Sequence, residues 1–181
     1  MAILKTLALF AVATAAAVFL MIWALDAFGF RSPIFAFLAN WLAMSWVVVV
    51  GQTVHFSFPS RYYDIRDFER TGRIYERLGI RVFKKLVRRG PLSILSPTLR
   101  VPRNKGGPAL RDLDHEMRKA ETGHMLIFML MLLFIGYALL RGWFDAAAWI
   151  LAFNIMMNGY PVMLQRYNRI RLQDIIERQG V

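Results

Sequence analysis

The stretch LALFAVATAAAVFLMIWAL, Leu7 to Leu25, decides the fold class. Lys5 precedes it and Asp26 follows it. A secretory signal also begins with a short positive lead, but its apolar core usually runs about 7–15 residues. A helix that crosses a bilayer needs roughly 20 apolar residues, and this run comes close to that. It is expected to be retained as a first transmembrane span. Three more blocks of similar character follow. They are Pro33 to Val54 (PIFAFLANWLAMSWVVVVGQTV), Met125 to Trp143, and Phe144 to Leu164. The expected fold class is therefore an all-α integral membrane protein with four transmembrane helices, at about residues 7–25, 33–54, 125–143 and 144–164. The whole chain of 181 residues makes one membrane domain.

Composition agrees. Hydrophobic residues make up 57% of the chain, and the net charge is +11. That combination suits a membrane protein with one basic face. Such charge can also serve nucleic acid, but here it lies between apolar blocks, so membrane lipids are the expected partner and nucleic acid is not. Residues 60–120 carry 16 of the 23 lysines and arginines against 7 acidic residues, a surplus of +9. The tail 165–181 adds four arginines. The short connections between spans hold only Arg31 and Arg141. Positive residues stay inside. Both termini, the basic segment and the tail are therefore expected in the cytoplasm, with the chain a multi-pass protein of a bacterial cytoplasmic (inner) membrane. A homo-oligomer is compatible with all of this.

The basic segment carries structure. FERTGRIYERLGIRVFKKLVRR, Phe68 to Arg89, repeats Ile74, Tyr75, Leu78, Val82 and Leu86 at helical spacing. It reads as an interfacial amphipathic helix between spans two and three, with Gly79 as a break that would make it a pair. Such a helix lies in the headgroup layer with its apolar side down. The plainer reading is a segment that only binds anionic lipid. GPLSILSPTLRVPRNKGGPALRD follows, and its prolines and glycines mark a loop. LRDLDHEMRKAETGHMLIF then reads as a helix that enters span three.

Two groups of polar residues stand out against the apolar background. Asn154, Asn158, Pro161 and Gln165 recur on one face of a helix. An unpaired amide in hydrocarbon costs several kcal/mol, so this stripe must face other helices or a wet cavity. Pro161 removes the helical donor for the Met157 carbonyl, which frees an acceptor beside Asn158 and permits a kink. Interhelical bonding alone explains such amides as readily as a substrate site does. The second group is Asp114, Glu121 and His124, on one face of the helix entering span three. Glu121 and His124 are i, i+3 neighbours, the arrangement of a carboxylate that orients a general-base histidine. His115 and His55 are expected at the same membrane level and can share that role.

Several chemistries are excluded by what the sequence lacks. It has no cysteine, hence no thiol nucleophile and no Cys-ligated zinc. Three histidines are too few for a membrane desaturase or hydroxylase. The single Glu-x-x-His is half of the paired pattern in di-iron bundles. Nucleotide-loop, hydrolase-elbow and zincin motifs are absent. No metal and no cofactor is expected.

Three stretches taken together carry a resemblance: GRIYERLGIRVFKK (Gly72 to Lys85), AETGH (Ala120 to His124) and NGYPVMLQRYNRIRL (Asn158 to Leu172). In order and spacing they resemble the small bacterial membrane proteins grouped with glycosyl-4,4'-diaponeurosporenoate acyltransferase, over roughly Glu69 to Leu172. The resemblance implies transfer of a fatty acyl group to a hydroxyl of a membrane glycolipid. It singles out Tyr75, Gly79, Glu121, His124, Asn158, Gln165, Arg166, Tyr167, Asn168 and Arg169. Phe83-Lys84 stands where that pattern would put Trp-Lys. On this reading His124, oriented by Glu121, is the base, and Asn158, Gln165 or Asn168 serves the oxyanion. Asn154 lines the acceptor site. Arg166, Arg169, Lys84, Lys85, Arg88 and Arg89 hold phosphates of the donor, acyl-CoA or another acyl thioester. The acceptor substrate is a glycolipid or other membrane lipid. The alternative is a non-enzymatic accessory protein that binds anionic lipid or a partner protein through its basic segment. A small transporter fits less well, because spans one and three are almost wholly apolar.

Overall fold

The computed structural model describes residues 2–89 and 106–179. Among these residues it is helical, with no strand. The helices are α1 (Ala2–Phe28), α2 (Pro33–Val50), α3 (Arg73–Arg77), α4 (Ile80–Arg89), α5 (Gly107–Leu140), α6 (Phe144–Asn154) and α7 (Tyr160–Gln179). A 3₁₀ turn covers Ser60–Tyr62, and a π turn at Ile155–Gly159 joins α6 to α7. Four helices are long and apolar enough to cross a membrane, as a multi-pass membrane protein requires. The chain divides into two compact units. The first holds Met1–Ser57 and Gly123–Gly159, the second Phe58–Thr122 and Tyr160–Val181.

In the first unit α1 turns into α2 through Gly29, whose φ of 74° favours a residue without Cβ. Ser32 then caps α2 by accepting from the Ile34 amide, and Pro33 occupies the first turn, where its missing N–H costs nothing. The core is built of Ala24, Phe35, Ala36, Ala39, Ala43, Ile127, Met131 and Ile150. Half of those residues are alanine. Small side chains let helix backbones approach closely, which is how helices associate where lipid offers no hydrophobic gain. Trp46 Nε1 donates to Thr14 Oγ1 at 3.0 Å, so α2 also bonds α1. Arg31 pairs with Asp145 at 3.0 Å at the exposed ends of their helices, worth about 0–1 kcal/mol.

In the second unit α3 and α4 pack on α7. Tyr75, Ile80, Val87, Leu164, Tyr167 and Ile170 form that core, with Phe83 against it. Leu110, Met117 and Leu172 tie the start of α5 to α7.

Several expected boundaries move. Span two ends at Val50, where the Gly51 amide bonds the Val47 carbonyl and a turn begins, instead of reaching Val54. α5 starts at Gly107 with Pro108 in its first turn and runs unbroken to Leu140, so the helix leading to span three and span three itself are one element. The tail expected after Leu164 is helical to Gln179. Most of the expected loop, residues 90–105, lies outside the described residues. Gly79 does break the amphipathic segment, at φ +83°. Of the apolar face expected there, Tyr75 is buried, while Ile74, Leu78, Val82 and Leu86 are exposed. The inward face of α4 is Ile80, Phe83 and Val87.

Candidate functional site

Pro161 shapes the local chain. A π turn spaces its N–H groups five residues from their acceptors, and Ile155–Gly159 adopts one that ends two residues before Pro161, which cannot donate.

Four polar side chains of the first unit meet here: Asn40, His124, Asn154 and Asn158. The three asparagines are fully buried. Asn40 Nδ2 donates to the Ala36 carbonyl at 2.9 Å. Asn154 Nδ2 donates to the Phe128 carbonyl at 3.0 Å. Each amide must then turn its oxygen the other way, and Asn158 Nδ2 donates to both, to Asn40 Oδ1 at 2.9 Å and to Asn154 Oδ1 at 2.9 Å. Both hydrogens of Asn158 are thereby used. Its Oδ1 lies 3.3 Å from His124 Nδ1 and can only accept. So His124 carries its hydrogen on Nδ1, and the neutral ring offers a lone pair on Nε2. Two main-chain carbonyls, through three amides, set the tautomer of one histidine. A base held this way can take a proton from a hydroxyl.

The second unit contains a different assembly. Arg166 and Arg169 lie one turn apart on α7. Arg169 is fully buried, and so are Glu69 and Glu121. Arg166 Nη1 donates to Glu121 Oε1 at 3.0 Å, and its Nε and Nη2 donate to the Glu69 carboxylate at 3.1 and 2.5 Å. Arg169 Nη1 donates to Glu121 Oε2 at 3.0 Å and its Nε to Asp114 Oδ1 at 3.1 Å. Asp114 also receives Arg118 at 2.6 Å. Three cations thus meet three anions. Arg166 also donates to the carbonyls of Tyr62 and Asp64, and Arg169 to that of Tyr63. Arg118 and Arg169 both lie over the Tyr63 ring, at 5.2 and 5.5 Å. Buried charge is tolerated only when it is paired and hydrogen-bonded. The result clamps the irregular segment 58–72 to α5 and α7.

Burial alone would raise the Glu69 carboxyl. Hydrogen bonds from Arg166, the Tyr75 hydroxyl and the Arg66 amide outweigh it and hold the group at about 2. Burial and the adjacent Glu69 push the Tyr75 hydroxyl up, so it stays a donor. Tyr167 donates to Glu76 at 2.8 Å. Lys84 donates to Asn168 Oδ1 at 2.7 Å, and Asn168 Nδ2 is buried with no hydrogen-bond partner among the described residues.

The expected roles therefore sort differently. His124, Asn154 and Asn158 come together as expected. Glu121 does not orient His124, because both its oxygens serve arginines, and the amide of Asn158 takes that place. Asn158 has no hydrogen left for an oxyanion. Arg166 spends all five of its hydrogens on protein groups, and Arg169 is fully buried against Asp114, Glu121 and the Tyr63 carbonyl. Tyr75, Tyr167 and Asn168 are internal to the second unit. Gln165 is half-buried on α7. Lys85 is exposed, and the side chains of Arg88 and Arg89 lie outside what is described. His55 and His115 are exposed. Sequence reasoning missed Asn40 and Glu69. A lone asparagine inside an apolar block was the signal for the first. Nothing in the sequence marked Glu69 above the other acids of its segment.

A helical membrane protein with an orienting amide chain on one histidine and a closed ion cluster on the arginine-rich helix is the class these observations define. The family model described as glycosyl-4,4'-diaponeurosporenoate acyltransferase matches residues 59–178, and the chain belongs to that family. The match includes His124, Asn154 and Asn158 but not α1, α2 or Asn40. No curated protein and no solved structure matches the chain.

Proposed function

We propose that the protein transfers a fatty acyl group from a thioester donor to a hydroxyl of a membrane lipid, with His124 as general base. The family's description names an acyl transfer. The observation that carries the reading is the amide chain that keeps hydrogen on His124 Nδ1 and a lone pair on Nε2. Nε2 takes the proton of the acceptor hydroxyl as that oxygen attacks the thioester carbon. The C–O bond forms, the C–S bond breaks, and the imidazolium returns the proton to the departing thiolate. The charge distribution supports a basic segment and both termini on the cytoplasmic side of a bacterial inner membrane, where acyl-CoA and other acyl thioesters occur.

The test compares membrane lipids from cells making the wild type, His124→Gln or Asn158→Leu at matched protein levels. His124→Gln is expected to lower acylated lipid by about 10²–10⁴-fold. Asn158→Leu leaves the base present but unheld and should fall less far. Unchanged acylated lipid in both strains would remove the site.

A further inference from the structure

The second unit holds a surface that the chemistry does not use. α4 is apolar on more than one side. Ile80, Phe83 and Val87 face α7. At roughly 100° per residue, Val82 and Leu86 stand about 110° round from that face, and they are 73% and 61% exposed. Leu78 just before the Gly79 break and Phe68 before α3 are 51% and 68% exposed. Arg73, Arg77, Arg81 and Lys85 are exposed among them. A helix that had to face only its own protein and water would carry polar residues at 82 and 86. Exposed aliphatic groups interleaved with cations match one environment, a bilayer surface in which apolar side chains reach acyl chains and the long basic side chains stay at headgroup level.

We infer that the outer face of α3–α4, through Val82 and Leu86 with Arg77 and Lys85, docks on the anionic headgroup layer of a lipid bilayer. Charge complementarity selects that occupant: an acidic surface attracts the cations, and a neutral one does not. Arg81 contributes least, because Glu76 already pairs with it at 2.7 Å. Docking of this face is independent of the acyl-transfer reading, since none of its residues belongs to the His124 site.

The chain has no cysteine, so single cysteines introduced as Val82→Cys, Leu86→Cys and, as a control, Asp174→Cys can each carry a spin label. The full-length protein is placed in nanodiscs, one copy each, of phosphatidylcholine alone or mixed with phosphatidylglycerol. Labels at 82 and 86 are expected to be accessible to oxygen and shielded from a water-soluble nickel chelate in the anionic discs, while the label at 174 stays accessible to the chelate. Arg77→Gln with Lys85→Gln should weaken the shielding about fivefold per charge removed, and neutral discs should do the same. Labels at 82 and 86 open to the chelate in anionic discs would overturn the inference. So would equal shielding in neutral discs together with no effect of removing the two charges.

Discussion

Replacing Arg169 by methionine tests the central energetic claim about the ion cluster. Arg169 is fully buried and donates to Asp114, to Glu121 and to the Tyr63 carbonyl. Methionine keeps much of the volume and removes all three bonds. Each charge-assisted bond contributes about 1.5–3 kcal/mol, and an abandoned buried carbonyl costs about 1–3 kcal/mol. Glu121 keeps Arg166 and Asp114 keeps Arg118, which holds the loss toward the lower part of that range. The expected destabilisation is about 3–5 kcal/mol, the usual result of removing one member of a buried pair. Arg171 is the comparison, being an exposed arginine on the same helix with its guanidinium 5.1 Å from the Tyr167 ring. Arg171→Met should cost about 0.5–1 kcal/mol. Thermal unfolding of the purified protein in detergent, followed by size-exclusion after heating, should show Arg169→Met losing roughly 10 °C and Arg171→Met a degree or two. Adding Glu121→Leu to Arg169→Met should cost less than the sum of the two single changes, because each single change already loses the Arg169–Glu121 bond. Equal shifts for the two arginines, or strict additivity in the double variant, would refute the reasoning.

Glu69 gives a pH dependence. Its folded carboxyl lies at about 2 against 4.5 for the free group. The stabilisation is therefore complete above about pH 4.5 and is lost as pH falls toward 2. Acid titration of the folded fraction should show this, and Glu69→Gln should flatten that window at the cost of lower stability at neutral pH. Gly72 and Gly79 both have positive φ, 68° and 83°. A Cβ on Gly72 would lie 2.9 Å from Tyr167 Cε2, while one on Gly79 would meet only Tyr160 Oη at 3.7 Å. Gly79→Ala should cost the backbone strain alone, about 1–2 kcal/mol. Gly72→Ala should unfold at a clearly lower temperature in the same assay.

The membrane class was legible because hydropathy over a span-length window needs no partner to interpret. The four apolar runs appear as helices, and Gly79 breaks the chain where expected, since a residue without Cβ tolerates a positive φ. The pairing of charges was not legible. Arg166 and Arg169 read as phosphate ligands because a sequence shows valence and spacing, not which carboxylates of the segment 58–122 the helix will meet. The Glu121–His124 pair failed for the same reason: i, i+3 neighbours can touch, but two arginines competed for the carboxylate and won. The apolar repeat through Ile74, Leu78, Val82 and Leu86 was legible and is exposed, while the inward face of α4, Ile80, Phe83 and Val87, was not, because only the packing on α7 reveals it. In the fourth apolar block, Asn154 and Asn158 were legible as a buried pair. The third amide, Asn40, came from a span read only for its length.

The amide chain ends on the main chain, at Ala36 and Phe128, instead of on side chains. A carbonyl of a helix points the same way whatever residue bears it. Sequence drift at positions 36 and 128 can alter packing, yet it cannot invert the direction in which the asparagines hand their hydrogens along. The imidazole's basic nitrogen is in this sense an inherited property of helix polarity, and the scaffold would keep it through many substitutions that change every neighbouring side chain except the three amides.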